Sequence, residues 1–303
     1  MLQAAVPIAA PWNARTRIAV PTPDGSGATI HPSVVDMGAL WNGYRYWMCD
    51  TPYAAGDNQL ENPSIWASNN RTDWVVPSGV TNPLVPPPGA LVGFHSDVEL
   101  VYDPDGARMI LYYRTAWFTA AVVTSIELFA ITSTNGSTWT APVKVADLLV
   151  EPSARLSPAV VRMGVNQWRM WLWGNDVTGS TRTATNPLGP WAAPSALTLN
   201  GGPLHGWHGD VIRVGSTYYM AYSNVALEEM KVATSTDGIA FTAPATSTLI
   251  TRSTTRWDHT VYRPTLVNGP EPGFLSVWYS AVSAPSPGGH AIGFTRIPIS
   301  AWT

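Results

Sequence analysis

Val98-Glu99-Leu100-Val101-Tyr102, Asp103-Pro104-Asp105-Gly106 and Met109-Ile110-Leu111-Tyr112-Tyr113 are followed by Ile131-Thr132-Ser133-Thr134-Asn135-Gly136, which leads to Trp139 and Pro142. The order is apolar strand, tight turn, aromatic-rich strand, small strand, polar turn, aromatic, proline. Asp-Gly in a short turn supplies the positive φ that a tight hairpin needs. Mixed β-branched and aromatic residues suit pleated, half-buried strands. The opening of the pattern returns as Val34-Val35, Asn42-Gly43 and Tyr44 to Met48. It returns again as Ala159 to Met163 with Trp168 to Trp173, as Val211 to Val214 with Tyr218 to Tyr222, and as Thr265 to Val267 with Phe274 to Tyr279. Its close returns as Ile65 to Asn70 leading to Trp74, as Thr183 to Asn186 leading to Trp191, and as Val232 to Gly238 leading to Phe241. A period of roughly 50–65 residues is that of a propeller blade with long loops.

Five units predict an all-β fold, a five-bladed β-propeller of four-stranded antiparallel blades. The expected organisation is one domain over residues 1–303, with blades at about 30–80, 90–145, 155–197, 205–247 and 258–303. The leading segment 1–29 is expected to add Arg17-Ile18-Ala19-Val20 to the last blade as an outer strand, which removes an open sheet edge. No stretch keeps a helical period.

Composition narrows the function. Hydrophobic residues make up 45% of the chain and charged residues 12%, enough for a large core and against disorder. A net charge of -3 offers no basic surface, so no nucleic-acid partner is expected. No run is long and apolar enough for membrane insertion. The single cysteine, Cys49, forms no intramolecular disulfide and reads as a buried small hydrophobe. The start of the chain lacks a basic segment followed by a long apolar one, so no secretory signal is expected.

Alignment of the inner strands gives two columns. The first holds His31, His95, Leu156, His208 and Tyr262; two positions on stand Ser33, Asp97, Pro158, Asp210 and Pro264. Three of the six histidines thus fall around one axis, with Phe94, Trp207 and Trp257 nearby. The candidate ligand-binding set is His31, His95, Asp97, Trp207, His208, Asp210, Trp257, Asp258, Tyr262 and Arg263. Three readings stay open: strand-end caps with trapped water, a funnel for a hydroxyl-rich ligand, or a metal held by His31, His95 and His208. No close His-x-His or Cys pairing accompanies the histidines, so the expectation is no metal and no other cofactor.

The phrases His-Ser-Asp-Val-Glu-Leu-Val-Tyr (95–102), Leu-Tyr-Tyr-Arg (111–114) and Thr-Ser-Thr-Asp-Gly (234–238) resemble the blade consensus of glycoside hydrolase family 43 propellers. Trp41 to Met48, Thr51-Pro52-Tyr53, Glu61 to Ile65 and Thr81 to Leu84 resemble propellers of the minor tail proteins of tailed phages. The hydrolase resemblance implies an acid, a base and a tuning carboxylate. Their motif places hold His31-Pro32, Ser157-Pro158 and His208-Gly209-Asp210, so standard glycosidase catalysis is not expected. Asp97 and Asp210 could be recruited instead. The resemblance therefore implies a non-enzymatic virion component of a tail tip or baseplate, released by host lysis. Its expected partners are other tail proteins and host cell-wall glycan. The alternative is a glycoside hydrolase acting on host-wall polysaccharide, or a carbohydrate-binding module.

Overall fold

The computed structural model describes residues 14–150, 153–174, 178–283 and 289–302. The first part of the leading segment and parts of the loops at 174–180 and 280–289 lie outside the described residues. The chain forms an all-β propeller of antiparallel blades. Among the described residues, no helix is long and apolar enough to cross a membrane.

The described strands form six sheets, where the repeats predict five. Five are up-and-down meanders. The first runs Thr29–Trp41, Tyr44–Pro52, Ser64–Ser68, and the second Gly93–Asp103, Arg108–Thr119, Val122–Ser133, Val143–Asp147. The third is built on Ser153–Gly164, Gln167–Gly174 and Gly179–Ala184, and the fourth on Gly209–Val214, Thr217–Ser223, Glu229–Ser235 and Thr248–Thr251. The fifth runs Thr260–Asn268, Phe274–Val282, His290–Pro298 and is completed by Thr16–Ile18 from the start of the chain, with Thr16 opposite Phe294. The innermost strands of these five touch one another in sequence, and the last, Thr260–Asn268, touches the first, Thr29–Trp41. The sixth sheet is small. It joins Thr198–Leu199 to Gly202–Pro203 and, in parallel, to Ala240–Phe241. Its two-residue strands leave too little periodicity to be read from sequence.

Packing explains the repeated polar turn. Gly136 and Gly238 both have positive φ, +72° and +71°. A Cβ on Gly136 would run into the Trp47 ring, and one on Gly238 would meet Trp171 at 3.1 Å. Each glycine thus lets a turn close over a tryptophan of the neighbouring blade. In the same turns Asn135 accepts the amides of Ser137 and Thr138, and Asp237 accepts those of Ile239 and Ala240. Six of the fifteen tryptophans, Trp47, Trp66, Trp171, Trp173, Trp278 and Trp302, are fully buried.

Candidate functional site

Four of the five inner strands carry a β-bulge at the same level. Two residues stand unpaired in each: His31 and Pro32, Asp97 and Val98, Ser157 and Pro158, Tyr262 and Arg263. The first residue of three of these pairs is left-handed, with φ of +57° at His31, +49° at Asp97 and +47° at Ser157. That conformation costs a non-glycine residue about 1–2 kcal/mol. A bulge re-aims its side chain, and strain of this kind collects at functional sites. The fourth inner strand has no bulge; His208 stands immediately before it.

These bulges correct the sequence alignment. The axial column is His31, Asp97, Ser157, His208 and Tyr262, so Asp97 and Ser157 stand where His95 and Leu156 are expected. His95 lies two residues before the bulge. Its Nδ1 pairs with the Thr115 hydroxyl (2.9 Å) and its Nε2 with the Pro86 carbonyl (3.1 Å). Composition cannot reveal a one-strand bulge, which shifts register without a glycine to mark it.

The column opens into a cavity of about 500 Å³ lined by His31, Glu61, Asp97, Arg114, Trp207, His208 and Tyr262 on its polar side. Phe94, Ala116, Val123, Ile126 and Leu227 are among its apolar residues. One ligating atom each from His31, Asp97 and His208 lies within 4.8 Å of the others. Asp97 Oδ1 is 3.7 Å from His31 Nε2 and 3.4 Å from His208 Nδ1. Asp97 Oδ2 pairs with Arg114 Nε at 3.0 Å. The Ser157 hydroxyl donates to Asp97 Oδ1 (2.9 Å) and contacts His208 Nδ1. His31 Nδ1 faces the Glu61 carboxyl at 3.0 Å and the Thr51 hydroxyl at 3.2 Å. His31 Nε2 and His208 Nε2 are buried without a hydrogen-bond partner. Trp207 donates its indole N–H to the Tyr262 hydroxyl at 3.3 Å.

The charges follow from burial and neighbours. Burial holds both imidazoles below their ordinary range, against the pull of Asp97, so they are neutral. Burial would raise Asp97, but the Arg114 guanidinium, supported by a hydrogen bond from His208, outweighs it and holds the carboxylate well below its usual range. Glu61 goes the other way: burial first, and then the Asp97 charge, push it well above. Two neutral imidazoles and one firmly ionised carboxylate make a donor set suited to a divalent transition metal. The metal reading left open from sequence grouped His31 and His208 with His95; the geometry puts Asp97 in place of His95.

Other expected residues sit elsewhere. Asp210 lines a second cavity at the other end of the inner strands, with Ser33, Glu99 and Thr265. Its two oxygens accept the amides of Val211 (2.7 Å) and Leu266 (2.6 Å). The suggested recruitment of Asp97 and Asp210 as a pair therefore has no common cavity to work in. Arg263 is buried between the Glu99 carboxylate (3.1 Å) and the Pro158 carbonyl (3.0 Å). Asp258 is buried against Arg15 at 2.6 Å, and Trp257 stacks on Tyr279. Neither lines the axial cavity. Sequence reasoning missed Glu61 and Arg114 as site residues. Both stood in singled-out motifs, Glu61 in a loop on the funnel face and Arg114 at the end of Leu-Tyr-Tyr-Arg, but no spacing marked them.

No protein-family model matches the chain. Over 86 residues it is 40% identical to the A type blood N-acetyl-alpha-D-galactosamine deacetylase of Flavonifractor plautii. That stretch is 28% of this chain and 11% of the deacetylase, so the match spans about a tenth of that relative's length. Among solved structures, the fold is similar to an N-acetylgalactosamine deacetylase from F. plautii in complex with blood group B trisaccharide. The TM-score is 0.75 at 23% identity, over 89% of each chain. It is also similar to the β-xylosidase RS223 (TM-score 0.63, 9% identity, 89% of this chain and 92% of that one) and to a thermostable family-43 glycoside hydrolase (0.62, 13%, 89% of each). These likenesses support the propeller and its resemblance to family 43. They overturn the virion reading: the relatives named here are carbohydrate-processing enzymes, and nothing supports a tail protein.

Proposed function

We propose that this chain is a metal-assisted hydrolase that removes the acyl group from an N-acylated amino sugar of a glycan. The observation that carries the reading is the His31–Asp97–His208 cluster on the cavity floor, with two imidazole nitrogens left unpartnered. Buried polar atoms without partners are rare and ask for a reason. The partial match to a carbohydrate deacetylase supports the same reading. We read the fold as five blades, with the sixth small sheet an accessory between the third and fourth.

His31, Asp97 and His208 would hold a divalent ion. Such an ion supplies Lewis acidity to a carbonyl and lowers the pKa of water. The protein residues then have distinct tasks. Glu61 accepts the Nδ1–H of His31, which fixes the ring with Nε2 turned inward. Its carboxyl group lines the cavity, and in its ionised form, with the proton affinity that burial raises, it takes the proton of the attacking water and returns it to the leaving nitrogen. Arg114 keeps Asp97 ionised and oriented. The Tyr262 hydroxyl, polarised by Trp207, faces the same space as a hydrogen-bond donor to the developing oxyanion. Water adds to the carbonyl carbon, the C–N bond breaks, and the products are a free carboxylate and a free amine.

The test incubates purified protein with N-acetylated glycans and assays free amine and reducing sugar, with and without chelator. Amine release that stops with chelator and returns with zinc, cobalt or manganese is the expected result. Release of reducing sugar without amine would replace this reading with a glycosidase.

A further inference from the structure

The cavity is apolar on one side to a degree that an acetyl group does not require. The strands Arg108–Thr119 and Val122–Ser133 run past the body of their blade and join at a two-residue turn, Ala120-Ala121. Both turn residues have positive φ, +51° and +64°. This is the twist of a tight hairpin turn, usually made with asparagine and glycine. The hairpin presents Ala116, Val123 and Ile126 to the cavity next to Phe94. Phe118 packs on Phe94 at 5.8 Å and donates its amide to the Val92 carbonyl at 2.7 Å. Ile126 is buried, the two phenylalanines are half-buried, and Val92 and Val123 stand open to solvent at 48% and 41%. An apolar track thus leads from the candidate metal cluster to the outside along one hairpin.

We infer that this track receives the acyl chain of the substrate, and that the preferred substrates are N-acylated amino sugars whose acyl group is longer than acetyl. The inference rests on the hydrolase reading and deepens it. The track is continuous with the cavity that holds the scissile amide, and the Arg114 guanidinium, over the Phe94 ring at 5.8 Å, marks its inner end. A sugar ring, rich in hydroxyls, has nothing to bond along Val92, Phe94, Phe118 and Val123. An alkyl chain needs no such partners.

The test uses methyl glycosides of galactosamine carrying N-acetyl, N-butanoyl, N-hexanoyl or N-octanoyl groups, and the octyl glycoside of N-acetylgalactosamine. Each is assayed twice, for amine release by the metal-loaded protein and for binding by calorimetry to the chelator-treated protein. Each methylene buried strengthens binding up to about fourfold. Hexanoyl is therefore expected to bind at least about tenfold more tightly than acetyl, with a parallel rise in kcat/KM. Val123→Asp is expected to flatten that dependence. Affinity that is flat or falls with acyl length, alongside acetyl release, overturns the acyl track and leaves the hydrolase reading intact. Affinity that climbs with acyl length without any amine release keeps the track and overturns the hydrolase reading. A gain confined to the octyl glycoside assigns the track to the aglycone and overturns the inference.

Discussion

The two ends of the propeller axis bury similar groups to opposite effect. At one end His31, Asp97 and His208 point into a cavity, and two of their nitrogens have no protein partner. At the other end one side-chain oxygen on each of four inner strands joins it to a neighbouring strand, while Arg263 Nε and Nη1, also without a partner, line neither cavity. Ser33 accepts the Leu100 amide, Glu99 that of Val160, Asp210 that of Leu266, and Thr265 that of Val34. These bonds stitch four of the five inner strands to the next around the axis; the third has Ala159 at that level and supplies none of them. Glu99 and Asp210 lie close enough to influence each other, with Arg263 as the neighbouring cation. Burial, and then the Asp210 charge, push Glu99 up to about 8. Burial alone therefore does not mark a site. A buried polar atom facing space does.

Substitution at the cavity end should abolish activity and spare the fold. Asp97→Asn or His208→Ala is expected to remove ion binding and turnover together, read by metal content and amine release. A variant that keeps its metal and its rate would move the site elsewhere. Glu61→Gln is expected to cut kcat by about 10²-fold or more while the metal stays bound. Loss of the metal instead would reduce Glu61 to a support for His31.

The stitched end should behave in the reverse way. Asp210→Ala leaves the Leu266 amide buried and unpaired, at a cost of about 1–3 kcal/mol. Denaturant unfolding would show the loss, and metal content should not change. Gly136→Ala is expected to destabilise by a similar or smaller amount, because a Cβ there meets Trp47 and the φ is left-handed. The pH dependence is the gentlest test. A carboxyl raised in the folded state holds a proton that the unfolded chain has already released, so stability falls as pH rises. For Glu99 the fall runs from about 4.5, the ordinary glutamate value, to about 8, and is complete above that. Glu99→Gln should flatten the slope in that window; an unchanged slope would assign the proton to another group.

The repeats were legible because strand alternation, turn residues and the recurring Ser/Thr-rich turn each leave a sequence mark. Val98 to Tyr102, Met109 to Tyr113 and Phe274 to Tyr279 lie in strands where the pattern places them. Five of the ten candidate residues, His31, Asp97, Trp207, His208 and Tyr262, line the axial cavity; the other five lie elsewhere, His95 beside Thr115, Asp210 and Arg263 in the stitched end, and Trp257 and Asp258 in the outer packing. A bulge at His31, Asp97 or Ser157 adds one residue to a strand without changing its composition, so counting from the turn misplaces everything before it. The candidate metal cluster was only partly visible, with His31 and His208 but not Asp97, for a related reason. Its members lie 66 and 111 positions apart and meet only when the ring closes.

The most direct test of the metal-assisted reading is an equilibrium titration of zinc into chelator-treated protein, wild type and Asp97→Asn, with amine release from an N-acetylated glycan followed at each point. The account predicts that activity in the wild type rises in step with one ion bound per chain, and that the variant shows neither. Full turnover before any ion is added, or equal ion binding by the variant, would contradict it.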